Sequence, residues 1–70
     1  MIRFENKNNG RFYYILVERD DSDKLALRII RGGRNIRVVR SVLFDCPLSV
    51  RKEVDRLAKR RIRRGYSLVT

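Results

Sequence analysis

Two stretches of this 70-residue chain have the residue types and spacing to hold a phosphate. The first is Arg31-Gly32-Gly33-Arg34. Glycines let the backbone approach an anion closely, and a planar guanidinium on either side can grip a phosphate at two points. The second is the run Lys59, Arg60, Arg61, Arg63 and Arg64, five cations within six residues. One or two cations complement the negative end of a helix, each by about 0.3–1 kcal/mol, so this run exceeds the structural need. Arg28, Arg37 and Arg40 lie on the segments flanking the glycine turn and extend the first patch. Arg51, Lys52 and Arg56 carry the charge upstream of the second, diluted by Glu53 and Asp55. Glu53 and Arg56 can also form an ordinary helical ion pair.

Composition points the same way. Eighteen Lys+Arg against eight Asp+Glu leave a formal net charge of +10. Fourteen of the eighteen are arginine, the cation that both forks onto phosphate and stacks on bases and sugars. Such a charge repels itself, and a polyanion relieves the repulsion. Solubility alone is a weaker reason for it, since acidic residues serve solubility at least as well. Catalysis has no visible machinery: there is no histidine, no nucleophile signature and no paired acid and base, so the chain reads as non-enzymatic. Cys46 is the only cysteine, which excludes an internal disulfide and, without histidine, a zinc site. Asp20, Asp21 and Asp23 lack the glycine and distant glutamate of a calcium loop and read as a hairpin turn. No cofactor or metal is expected.

The elements that must position these residues follow from the apolar pattern. Residues 1–7 read as a first strand, with Ile2 and Phe4 on one face, and the turn Asn6 to Gly10 follows. Arg11 to Arg19 is rich in aromatic and β-branched residues and reads as a second strand. From Lys24 to Arg31, Leu25, Leu27 and Ile29 alternate with Ala26, Arg28 and Ile30. Gly32-Gly33 turns the chain into a fourth strand over residues 34–44. There Ile36, Val38, Val42 and Phe44 share the core face, interrupted by Arg40, while Arg37, Val39, Ser41 and Leu43 share the other. Pro47 then opens a helix whose stripe is Val50, Val54, Leu57, Ala58 and Ile62, ending at Gly65 with Tyr66 folded back. Ser67 to Thr70 form a short extended tail.

The expected fold is therefore α+β: a single domain over residues 1–70, with a small twisted antiparallel sheet of about four strands in meander order under one C-terminal helix. If the helix covers the Leu25/Leu27/Ile29 face, Arg28 and Arg37 point away from the core. Arg61 falls inside the apolar stripe, and either snorkels past the sheet edge or pairs with a carboxylate. Tyr13, Tyr14 and Tyr66 read mainly as core, with alternation leaving one of Tyr13 and Tyr14 free to stack on a base. The longest apolar run is far short of the roughly 20 residues of a membrane-crossing helix. With a lone thiol, this suggests a cytoplasmic protein.

The order of these features resembles the WGR domain over nearly the whole chain. It comprises Gly10-Arg11-Phe12-Tyr13-Tyr14-Ile15, a hairpin, a Gly-Arg turn, Arg37-Val38-Val39-Arg40, and a basic helix ending Arg63-Arg64-Gly65-Tyr66. The resemblance implies a twisted antiparallel sheet with one helix that binds DNA, its Trp-Gly-Arg turn touching backbone and sugar. Gly33-Arg34 matches the Gly-Arg of that signature, and the chain holds no tryptophan. The tryptophan position falls on Gly32, or on Arg31 in the alternative alignment.

The expectation is a nucleic-acid-binding module, for DNA more than RNA, that contacts phosphates with little sequence preference. Its binding residues would be Arg28, Arg31, Gly33, Arg34, Arg37, Arg40, Lys59, Arg60, Arg63 and Arg64. The alternatives are an RNA-binding protein and a module docking on an acidic protein surface. Replacing Arg31 and Arg34 with alanine is expected to weaken binding at every sequence and to flatten its salt dependence. Unchanged affinity in the folded double variant, measured by fluorescence anisotropy, would remove the turn from the site.

Overall fold

Five antiparallel strands and one helix make up the fold, seen in a computed structural model that describes residues 1–69. In chain order they are β1 (Ile2–Asn6), β2 (Arg11–Arg19), β3 (Leu25–Gly32), β4 (Arg37–Phe44), α1 (Pro47–Arg63) and β5 (Ser67–Val69). The strands lie side by side as β4-β3-β2-β1-β5. The first four form the expected meander. The tail adds a fifth strand on the far side of β1, with Ser67 opposite Glu5 and Val69 opposite Arg3. Thr70, placed in the tail from sequence, lies outside the described residues.

Residues directly opposed in antiparallel strands share a face. Phe4, Tyr13, Ile15, Leu27 and Ile29 therefore line one side of the sheet, and Leu57 of the helix joins them in the core. Phe44, Val54, Ala58 and Tyr66 pack around that cluster. Each fully buried aliphatic or aromatic side chain contributes about 1.5–3 kcal/mol. The opposite face carries Phe12, Tyr14 and Leu16 beside Ala26, Arg28 and Ile30, then Arg37, Val39 and Leu43. No element covers it among the described residues. Arg28 and Arg37 do face away from the helix, and Tyr14, not Tyr13, is the tyrosine on the open side.

Three expectations about the core need correction. β4 begins at Arg37 rather than Arg34, because Gly33 donates its N–H to the Ile36 carbonyl at 2.9 Å and closes the turn there. Ile36 and Val38, assigned to the core face, are 68% and 42% exposed. Val38 does point to the helix side, but it sits on the outermost strand, and Ile36 lies in the turn. Ile62, assigned to the helix stripe, is also exposed, and Arg61 is buried in its stead.

The turns are held by short polar side chains. Asp20 accepts the backbone N–H groups of Ser22 at 3.0 Å and Lys24 at 2.9 Å, and the Ser22 hydroxyl at 2.8 Å. The Ser22 hydroxyl first, then the Lys24 amide, keep its carboxyl below the usual carboxylate range. This is the hairpin role expected for the aspartate run. At the other end, Gly10 adopts φ 72° and donates to the Asn6 carbonyl, while the Asn6 side chain accepts from the Asn8 amide at 3.0 Å.

The β3–β4 turn has one glycine without an alternative. A Cβ on Gly32 would fall 1.9 Å from the Ile36 carbonyl oxygen, a backbone atom that cannot rotate away. A Cβ on Gly33 would meet only the Arg11 side chain, at 3.5 Å. Gly32→Ala should therefore destabilise the fold by about 1–3 kcal/mol in urea unfolding. Gly33→Ala should stay within about 0.5 kcal/mol of the parent. Equal effects from the two would show that the turn relaxes freely.

Candidate nucleic-acid interface

Three segments distant in sequence meet at one end of the sheet: the β1–β2 turn, the β3–β4 turn and the C-terminus of α1. The pairing of β5 with β1 draws the helix end there. Helix termination sets the local geometry. Gly65 takes φ 89° and donates to the Ile62 carbonyl at 3.1 Å, and Tyr66 donates to the Arg61 carbonyl at 3.0 Å. This is the reciprocal pair of bonds that closes a helix through a left-handed glycine. Such an ending normally packs an apolar residue of the last turn on the residue after the glycine. Here that pair is Arg61 and Tyr66.

Arg61 is 7% exposed. Its guanidinium carbon lies 4.3 Å from the centre of the Tyr13 ring and 5.3 Å from that of Tyr66. The two rings meet edge to face at 6.5 Å, forming a corner that receives the cation. Neither alternative left open by the sequence is realised. Arg61 does not reach past the sheet, and none of the described carboxylates pairs with it. Its Nε is buried with no hydrogen-bond partner. Stacking on the rings offsets part of the desolvation, by about 0.5–2 kcal/mol per ring, against a cost of several kcal/mol for an unpaired buried ion.

Above Arg61 opens a cleft of about 640 Å³. Its walls include Arg11, Arg31, Arg34 and Arg64, with Asn6, Asn9, Asn35 and the glycine turn between them, and no carboxylate among the described residues. Asn6, itself buried, donates to the Arg64 carbonyl at 3.4 Å and ties the β1–β2 turn to the helix end. A second, smaller cleft of about 180 Å³ runs between α1 and β4 and shares Arg31, Arg61 and Arg64 with the first. It adds Arg40, Arg56 and Arg60, so the two form one arginine track. Glu53 is the one carboxylate in its lining among the described residues. Arg56 already holds Glu53 by two hydrogen bonds, at 2.6 and 2.9 Å. That contact first, then the nearby charges of Arg56 and Arg40, hold the Glu53 carboxyl below the usual carboxylate range.

The sequence-predicted residues therefore divide. Arg31, Gly33, Arg34, Arg40, Arg60 and Arg64 gather along the clefts. The Gly33 amide is committed to the turn. Arg28 and Arg37 lie on the opposite sheet face, where Arg28 pairs with Glu18 at 3.0 Å. Lys59 and Arg63 are exposed on the helix and line neither cleft. Sequence reasoning did not place Arg11 in the site. It counted Arg61 in the basic run at the helix end and Arg56 among the charges upstream of it, without adding either to the expected binding residues. No family model, curated protein or solved structure matches this chain.

In this geometry Arg61 is a largely buried cation with no ion pair among the described residues. Arg61→Met keeps the stem volume and removes the unpaired charge. The free variant should be as stable as the parent or about 1 kcal/mol more so, while affinity for a phosphate-rich ligand falls at least tenfold. A destabilised variant that binds normally would make Arg61 a structural strut.

Proposed function

We propose that this chain is a DNA-binding module, WGR-like in construction, that takes phosphates of the nucleic-acid backbone into the arginine cleft. One observation carries the reading: at the floor of the cleft Arg61 has a buried Nε with no hydrogen-bond partner and no ion pair among the described residues, while the walls bring further arginines and no described acid. A folded chain keeps such an arrangement at a cost in stability, and a bound phosphate removes the cost by supplying charge-assisted hydrogen bonds.

The chemistry favours backbone contact over base reading. The cleft offers guanidinium forks and asparagine amides at a sheet end, and α1 lies across the sheet with its basic side chains at the cleft and on its outer surface. Phosphate contacts fix position on nucleic acid without selecting sequence. The missing indole is consistent with this. In this turn Gly32 has no room for any side chain, so the turn contributes arginines and backbone but no stacking ring. No helix of the described residues is long and apolar enough to cross a membrane.

The test is binding of the purified chain to blunt duplex DNA, nicked duplex, single-stranded DNA and duplex RNA at two salt concentrations. Duplex DNA should bind with little sequence preference. If about five phosphates are neutralised, affinity should fall roughly 500-fold between about 50 and 200 mM salt. Stronger binding of duplex RNA would reassign the polymer. No binding to any of the four near physiological salt would refute the reading and leave the arginines to an acidic protein surface.

A further inference from the structure

Strand β4 closes one edge of the sheet, with nothing among the described residues hydrogen-bonded to its outer side. The opposite edge is the three-residue β5. β4 is eight residues long and pairs with β3 in an unbroken register from Arg37 to Phe44, so no bulge twists it away. It contains no proline. Val38, Val39 and Leu43 on it are 42%, 54% and 54% exposed. Long, regular apolar edges are what isolated domains avoid, because they template further strand pairing. The charges on this edge do not guard it fully. Arg40 faces the cleft beside α1, where its charge acts on Glu53, and Arg37 stands at the strand's end.

We propose that a second copy of this chain pairs with β4, antiparallel and about a two-fold axis at Ser41, to give one continuous ten-stranded sheet. The choice of occupant rests on charge and pattern. A continuous sheet must keep each face on its own side, which limits the axis to a residue position. An axis at Arg40 would set two arginines directly opposite each other. An axis at Ser41 sets Val39 against Leu43 of the second copy, and Val38 against its Phe44. It also sets Arg37 against Asp45 of the second copy, twice by symmetry. Asp45 is exposed and among the described residues pairs with Lys24 alone, at 3.5 Å, and Arg37 makes no ion pair among them. Directly opposed pairs of this kind are the contacts that stabilise strand pairing.

The symmetry has a consequence that rests on the nucleic-acid reading. Both arginine clefts fall on the same side of the joined sheet. Each β3–β4 turn lies five residues from the axis, so at about 3.4 Å per residue the two turns stand roughly 34 Å apart. That is about one helical turn of duplex DNA.

The test is sedimentation equilibrium of the full chain without nucleic acid, so it is independent of the binding measurements. The expected result is a species of twice the 8.4 kDa chain mass. It should tighten as salt screens the +10 on each copy, opposite in sign to nucleic-acid binding. Val39→Lys changes an exposed side chain outside the clefts and should give a folded monomer by circular dichroism. Arg37→Asp and Asp45→Arg should each weaken the dimer at least tenfold, and together restore it. A chain that stays monomeric at all salt concentrations overturns the proposal. So does a dimer that neither Val39→Lys nor the charge exchange disturbs, since its interface lies elsewhere.

Discussion

Arg61 is held in a corner made by the rings of Tyr13 and Tyr66, one from the centre of the sheet and one from just past the helix end. Much of the molecule is arranged around that contact. The left-handed turn at Gly65 brings Tyr66 back over the last helical turn, and the pairing of β5 with β1 holds it there. Asn6 anchors the neighbouring turn to the same helix end. An apolar residue at position 61 would complete an ordinary helix–sheet core. A guanidinium there makes the core end in a charge, so the apolar interior and the arginine cleft share one side chain.

The second constraint is coverage. One helix, about 10–12 Å across with its side chains, lies on a sheet whose five strands span roughly 19 Å at their usual spacing. It can shelter the middle of one face only. The buried residues accordingly cluster on β1, β2 and β3 with Leu57, while β4 stays exposed and the other face has no cover among the described residues. The arginine-lined end and the apolar edge are two results of the same shortage of core in a small domain. They also separate two kinds of surface: a charged one at the turn end, and an apolar one along the edge.

Much of this was legible in the residues. Alternation in Lys24 to Arg31 and the aromatic run before it located β2 and β3, and the change of period after Pro47 located the helix and its stop at Gly65. The placement of Arg28 and Arg37 away from the helix followed from parity once the helix was set on the Leu25/Leu27/Ile29 face. Ile36 and Val38 were misassigned because alternation reports which way a side chain points, not whether anything lies above it. Arg61 was visible as an irregularity in the apolar stripe, yet its resolution depended on Tyr13, a strand residue that no local pattern connects to it. Arg11 was missed because the cleft joins two turns and a helix end that become neighbours only through the sheet order.

Gly32 shows how firmly the shape of this site is built into the backbone. Because a Cβ there would strike the Ile36 carbonyl, every single-residue replacement at position 32 meets the same obstacle, whatever its size or polarity. An aromatic ring could enter this position only after the loop to Ile36 had been lengthened or re-routed. The path from a glycine-and-arginine turn to one that also carries a ring thus begins with the loop, not with position 32. Descendants of this chain would more readily vary the arginines around the turn than the turn itself.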